Sequence, residues 1–274
     1  MDWIINYFVS MSDAGRLSMI WIASAAVIFV VLERVFPYNK GQEVLREGFF
    51  DDLALYTIAQ SYILGIIIFS WIIGNLDALT GLTRLRMLSA WPLWTQLVFF
   101  TVTHDLYIFW MHRWQHSNKY LWRIHEAHHS PTKVDWLSGS RSHAFEILIN
   151  QTVEFTPIIL LGAAPEVVPY KGLISAVWGM YIHSNLNIHT GKLQLLINGP
   201  EMHRWHHTTG KGRNRNFATK LAIWDWIFGT AYLPLPEKAA EYGLKARFPG
   251  HYVGQFLYAF RNFGRHQEGS VREG

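Results

Sequence analysis

Two pentapeptides, His125-Glu126-Ala127-His128-His129 and His203-Arg204-Trp205-His206-His207, share an HxxHH spacing, and an HxxxH pair, His112 and His116, precedes them. On an α-helix, residues at i, i+3 and i+4 lie on one face. Each HxxHH therefore presents three imidazoles in one direction, and the pair adds two more. Imidazole is the commonest metal ligand among side chains. A catalytic zinc ion takes about three protein ligands and keeps one position open, so these histidines exceed what one ion needs. The spacing points to a two-metal site made of histidine.

Twelve of the fourteen histidines fall between His104 and His207. His183, in Tyr181-Ile182-His183-Ser184-Asn185, ends an apolar segment that points the same way, which makes it a ninth candidate ligand. His143, His189 and Asn185 are further candidates, as ligands or as groups behind the ligands, and His143 also suits a headgroup contact. His104 reads as structural, and His251 and His266 as ordinary tail residues. Asp105 lies two helical turns before His112 on nearly the same face. An axial offset of ~10 Å argues against direct contact, but a carboxylate there can orient a ligand, as groups behind metal ligands do.

Ligand type alone does not choose the metal, because imidazole suits iron, zinc, copper and nickel. Soluble di-iron proteins use Glu and Glu-x-x-His on a four-helix bundle. No such set is present here, and Glu126 falls on a different face from the ligands. A membrane dinuclear zinc hydrolase would want a carboxylate base, yet Glu126 and Glu201 lack the HExxH spacing. A non-oxidative metal-binding or transport protein would place ionisable residues near the bilayer midplane, whereas these histidines gather toward one surface. Both readings stand as alternatives to redox chemistry.

The elements that must carry the histidines are apolar. The chain is 50% hydrophobic and only 16% charged, against about 25% charged in a typical soluble domain. Leu17 to Leu32, Leu53 to Leu76 and Trp91 to Met111 are candidate transmembrane segments. The third runs without a breaker into His112. Ile147 to Ile182, broken by Pro157, Pro165 and Pro169, reads as two transmembrane or re-entrant helices. Phe217 to Leu233 is an aromatic-rich stretch suited to a membrane interface. The expected fold is all-α: an integral membrane helical bundle of about four to five transmembrane or re-entrant helices with a cytosolic histidine-rich helical cap. It forms a single domain with an N-terminal hairpin (1–90), a histidine-bearing catalytic core (91–233) and a cytosolic tail (234–274) that frays after about Gly264.

Arg34, Lys40 and Arg46 lie in the first loop, and Arg113, Lys119, Arg123 and Lys133 accompany the histidines, against Arg16, Arg84 and Arg86 on the other side. The positive-inside rule then puts the histidines on the cytoplasmic side. No basic region precedes the first apolar run, so no removable signal peptide is expected. The absence of cysteine excludes disulfides, thiolate catalysis and cysteine-ligated clusters. The net charge of +4 suits lipid headgroups or an acidic partner, and no nucleic-acid-binding signature is present.

The segment from Asp105 to Thr230 resembles the membrane fatty-acid hydroxylase / sterol desaturase superfamily. The resemblance rests on Asp105 to Arg113 around the HxxxH pair, both HxxHH boxes, the His183-Ser184-Asn185 element, and Asn216-Phe217-Ala218 followed by Ile223-Trp224-Asp225 and Phe228-Gly229-Thr230. It implies two iron ions held by histidine, O₂ as co-substrate, and attack on an unactivated C–H bond of a membrane lipid. Some members carry a second histidine near the His-Ser-Asn element, where this chain has Asn187 and His189. The chain also has no fused haem domain and no dinucleotide-binding glycine motif. The resemblance therefore implies electrons from a separate ferredoxin-like or cytochrome-b-type protein, for which Lys211, Arg213, Arg215 and Lys220 are candidate contacts, or headgroup contacts instead. A bacterial inner membrane is the expected location.

Overall fold

A computed structural model describes residues 11–261 of the chain. Among them the architecture is all-helical, with only two isolated β-bridges, Pro37 with Leu186 and Thr208 with Tyr242. Helix α1 spans Asp13–Val35. Ser12 caps its start, the hydroxyl accepting from Gly15 N at 3.1 Å, and Arg34 sits in its last turn, where a cation suits the helix dipole. Helix α2 runs continuously over Asp51–Thr80, with wider π-type turns at Asp51–Gln60 and Ile66–Ile73. It stops where Gly81 turns left-handed at φ 62°.

These two helices are long and apolar enough to cross a membrane by length and composition. Their outward side chains include Val27 at 66% and Trp71 at 69% exposure, a pattern that suits lipid rather than water. The other expected segments also form helices, although among the described residues only α1 and α2 are long and apolar enough to cross a membrane. Helix α3, Leu93–Ser117, buries Gln96, Asp105, His112 and Gln115, so its polar face serves the interior of the bundle. Helices α5, Ala144–Leu160, and α6, Val167–His183, have 17 residues each, short of the ~20 needed to span a bilayer. Pro157 stays inside α5, and Pro169 falls in the first turn of α6, where its missing N–H is not needed. The chain breaks only between them, at Gly162 (φ 65°), where a Cβ would lie 2.7 Å from Arg86 Cα.

The apolar core joins α2, α3, α5 and α6 through Leu64, Ile68, Phe100, Phe155, Ile158 and Val167. α1 packs along α6. The shorter helices α4 (Lys119–His125), α7 (Pro200–His206), α8 (Ile223–Ile227) and α9 (Tyr252–Tyr258) gather at one end of this bundle. Asn118 caps α4, accepting from Tyr120 N at 2.9 Å and Leu121 N at 3.2 Å.

The same end receives the first loop. Arg46 donates to Asp135 at 2.8 Å and to Asp52 at 2.7 Å, and Arg141 donates to Asp52 at 2.6 Å. Glu33 accepts from the backbone N–H groups of Trp136 and Asn185, both at 2.8 Å. The first loop thus shares a side with the histidine-bearing segments. At the opposite end, the 81–92 turn meets the α5–α6 turn through Leu88 N and Leu161 O at 3.1 Å.

The C-terminal stretch is not a free tail. Tyr56 donates to Gln255 at 2.6 Å, Tyr38 to Ala239 O at 3.2 Å, and Arg261 to Glu126 at 2.7 Å. These polar anchors hold residues 234–261 against the core, which composition alone did not reveal. The fraying expected after Gly264 lies outside the described residues, as does His266.

Asp52 is fully buried between two guanidinium groups. Asp52→Ala leaves Arg46 and Arg141 short of a partner, and breaking such a pair costs about 3–5 kcal/mol. Thermal unfolding of the detergent-solubilised variant is expected to fall well below that of the parent. An unchanged midpoint would refute this role.

Candidate metal centre

Nine histidines converge at the loop-rich end of the bundle, in two groups. One holds His112, His116, His125, His129 and His206; the other holds His128, His183, His203 and His207. Within each group, one nitrogen per ring lies within 4.8 Å of all the others. Four elements deliver them: the end of α3, α4 with its following turn, the end of α6, and α7 with its C-cap.

The two HxxHH boxes do not each serve one site, as a shared helical face implied. His125 and His129 join His206, while His203 and His207 join His128. Each box sends its first and last histidines to one group and its middle one to the other. The exchange is reciprocal, so each box contributes to both groups.

Ring tautomers follow from the partners. His112 Nδ1 lies 2.7 Å from Phe217 O, His206 Nδ1 2.8 Å from Arg215 O, and His183 Nδ1 2.8 Å from Gly179 O. A carbonyl only accepts, so each Nδ1 carries the hydrogen. His125 Nδ1 likewise donates to Glu146 at 2.8 Å. In a neutral ring this leaves Nε2 as a bare lone pair. Yet His112 Nε2 and His125 Nε2 are 3.0 Å apart, with no hydrogen to share. The other Nε2 pairs stand at 2.9–3.2 Å, including His183 with His203 and His129 with His206. His116 Nε2 is buried with no hydrogen-bond partner.

Facing lone pairs in a buried site repel unless a cation lies between them. With an ion–nitrogen bond of ~2.1 Å, adjacent ligands of a six-coordinate ion stand about 3.0 Å apart, close to the spacings here. Burial, followed by the neighbouring imidazoles, holds His128, His129, His203, His206 and His207 well below the ordinary histidine range. The rings are thus neutral ligands near pH 7. The donor set fits two transition-metal ions such as iron, and the nine rings can hold them.

Carboxylates behind the ligands fix the geometry. Glu146, at the start of α5, accepts from His125 and from Gln115 at 2.9 Å. Neither Glu146 nor Gln115 was singled out from sequence: Glu146 sits outside the boxes, and Gln115 is a non-histidine position within the HxxxH pair. Asp105 does not reach His112. It accepts from Thr219 Oγ1 at 2.8 Å, Lys220 N at 2.9 Å, Leu221 N at 2.8 Å and Trp224 Nε1 at 3.1 Å. Asp225 accepts from Phe217 N at 2.8 Å and Ala218 N at 2.9 Å. Together they pin the loop whose Phe217 carbonyl orients His112. A close approach was also invisible in sequence: a Cβ on Gly139 would stand 2.5 Å from His183 Nδ1.

The remaining candidates lie apart from the two groups. His143 caps α5 and stacks on Phe256 at 4.7 Å. His189 is solvent-facing and pairs with Glu201 at 2.8 Å. Asn185 accepts from Asn39 N at 2.9 Å and so fastens the first loop. Of the four basic residues, Lys211 and Arg215 are exposed and Arg213 half-buried over Trp122, but Lys220 is buried and lines an internal cavity. It contributes to no outer surface, because Asp105 draws its backbone inward. The aromatic stretch is divided too: Phe217 packs on Phe109 in the core, while Trp226 and Ile227 face outward.

That cavity, about 230 Å³, touches His112, His125, His128, His183 and His203 on the bundle side. Ile108, Met111, Ile147, Trp178 and Ile182 supply apolar walls. A second cavity of about 270 Å³ shares Gly139, Gln151, Glu154 and Ser175 with it and reaches Tyr56 and Gln60 of α2.

Glu146→Ala removes the carboxylate behind His125, a change that typically costs about 10–100-fold in metal affinity. Metal titration of the folded variant is expected to show that loss. Gly139→Ala pushes directly on the His183 ring, so it is expected to weaken binding in the four-histidine group while the five-histidine group keeps its ion. Equal occupancy of both groups in Gly139→Ala would refute the close-contact argument.

The fatty acid hydroxylase family profile matches residues 97–230, the segment that carries all nine histidines. An ornithine lipid hydroxylase of Rhizobium tropici is 27% identical over 94% of this chain and 80% of its own length. An alkylglycerol monooxygenase of Danio rerio is 33% identical over 61% of this chain and 35% of that protein. A methylsterol monooxygenase of Arabidopsis thaliana is 30% identical over 49% of this chain and 47% of that protein. The chain thus spans about a third to a half of the last two relatives. No solved structure matches the chain significantly. With its histidine boxes, matching profile and relatives, the chain belongs to the membrane fatty-acid hydroxylase / sterol desaturase superfamily, a group of oxidoreductases.

Proposed function

We propose that this protein is an O₂-dependent oxygenase that holds two iron ions on its nine clustered histidines and hydroxylates an unactivated C–H bond of a membrane lipid. The observation that carries the reading is the convergence of Nε2 atoms at 2.9–3.2 Å, above all His112 with His125, whose Nδ1 hydrogens are both engaged behind them. When bound, two such ions supply the O₂ activation and oxidising power that side chains lack.

The chain's own residues do the rest. The apolar walls built by Ile108, Met111, Ile147 and Ile182 exclude water and hold an aliphatic chain beside the ligands. Glu146, Phe217 O and Arg215 O keep their histidines in the ligating tautomer. Positioning of the substrate carbon decides between hydroxylation and loss of a second hydrogen to give a double bond. Lipid arrives through the joined cavities that reach α2, whose outer face is apolar.

Electrons come from a separate ferredoxin-like or cytochrome-b-type protein that docks at Lys211, Arg213 and Arg215 beside the last box. The histidine end lies on the cytoplasmic side of a bacterial inner membrane, with residues 1–90 as anchor, 91–233 as catalytic core and 234–274 as a cytosolic stretch. The ornithine lipid hydroxylase, which aligns over most of its length, favours an aminoacyl lipid over a sterol as substrate.

Elemental analysis of the detergent-purified protein is expected to give about two irons per chain, or to do so after reconstitution with ferrous iron where zinc has taken its place. His128→Ala is expected to lose roughly half the metal, because it removes one of four ligands from a single group. With O₂ and a reducing partner, a membrane lipid should gain one oxygen or lose two hydrogens. Well-folded protein that binds no metal, or lipid turnover independent of O₂, would overturn the proposal.

A further inference from the structure

The cavity beside the histidines has a second, polar end that the oxidative reading does not use. Lys220 lines it, only 7% exposed, and its ammonium has no hydrogen-bond or ion-pair partner among the described residues. The nearby carboxylates make their hydrogen bonds to other groups, although Glu154 lies close enough to feel the charge of Lys220. Asp105 already accepts four hydrogen bonds from the 219–224 loop. Glu154 is held by Lys171 and by Ser175 at 2.8 Å. Glu146 accepts from His125 and Gln115. His104 joins Lys220 in the wall, its side chain 9% exposed; its Nδ1 lies 3.5 Å from Glu154 Oε1, while its Nε2 has no partner.

A buried cation without a partner is costly, and a protein normally removes the cost by pairing it. Here Lys220 lines the cavity that would hold the lipid. We infer that Lys220 and His104 form a subsite for a carboxylate of the lipid substrate, one oxygen meeting the ammonium and the other the imidazole N–H. The inference deepens the functional reading above and rests on it for which molecule counts as substrate.

The geometry follows from the shared walls. The subsite and the ligands His112, His128 and His183 border one cavity of about 230 Å³. A carboxylate held at Lys220 therefore brings a carbon only a few bonds away to the metal-facing end. Neutral lipids such as sterols and alkylglycerols offer the ammonium no counter-charge. Two sources carry the required group: the free carboxylate of an N-acylated amino-acid lipid, and that of a free fatty acid.

The test measures lipid binding to the full-length protein in detergent micelles, independently of turnover. The probes are an N-palmitoyl amino acid, palmitate, the methyl ester of each, 1-O-hexadecylglycerol, cholesterol and phosphatidylglycerol. On the parent protein, esterifying the preferred acid is expected to weaken binding about tenfold or more, roughly 1.4 kcal/mol per factor of ten. The acid with the larger ester penalty identifies the source. Lys220→Met should erase the difference between acid and ester, and Lys220→Arg should keep most of it. The ester comparison needs no variant, so misfolding of Lys220→Met leaves the test intact. Esters that bind as well as acids, or tightest binding of a neutral lipid or of phosphatidylglycerol, would overturn the subsite. Selective acid binding without any O₂-dependent product would sink the oxygenase reading and leave the subsite standing.

Discussion

The organisation of this protein follows from one constraint: nine imidazoles must be buried with their lone pairs aimed at common points. Neutral rings placed this way repel one another and leave acceptors unsatisfied, so the arrangement is unfavourable until cations occupy it. Holding it together takes groups that fix each ring from behind. Carbonyls of Phe217, Arg215 and Gly179 and the carboxylate of Glu146 do so for four of the nine. A metal centre so constructed is stabilised by its surroundings, and it stabilises them in return once filled.

The scaffold answers that constraint at several levels. The loop that offers the Phe217 carbonyl has no regular structure of its own to hold it. Asp105 and Asp225 instead collect its N–H groups, and Asn216 takes a left-handed turn (φ 55°) while its side chain donates to Met202 O and Tyr232 O, both at 2.8 Å. The opposite wall depends on Arg46 and Arg141 closing around Asp52, which ties the start of α2 to the segment after the first HxxHH. Buried ion pairs of this kind contribute little net stability, but they fix the register between segments that must meet accurately.

Membrane and centre are joined through the bundle interior. α1 and α2 present apolar residues outward, and α3 turns its polar face inward, where it carries Asp105, His112 and Gln115. Two cavities that share Gly139, Gln151, Glu154 and Ser175 lie between α2 and the histidines. Glu154, which Lys171 holds, and Lys220 line the cavity beside the histidines, and a purely aliphatic passage would not need them. Their presence in an apolar bundle gives the cavity a chemical direction, from a polar end to a metal-facing end.

Much of the centre was legible as sequence because local spacing carries it. HxxHH and HxxxH place rings on one helical side, and their number demands more than one ion; this needs only the helical period. The two long apolar helices were legible for the same reason, since hydropathy along a segment is local. The partition of the rings was not, because it depends on how α4 and α7 approach each other: only tertiary packing sends His128 to His203 and His206 to His129. Glu146, Gln115 and Gly139 were equally hidden, since their roles arise from residues 21 to 44 positions away meeting across the bundle. Lys220 reads from composition as one more surface cation. Burial is a property of the whole fold, and it alone turned that residue inward.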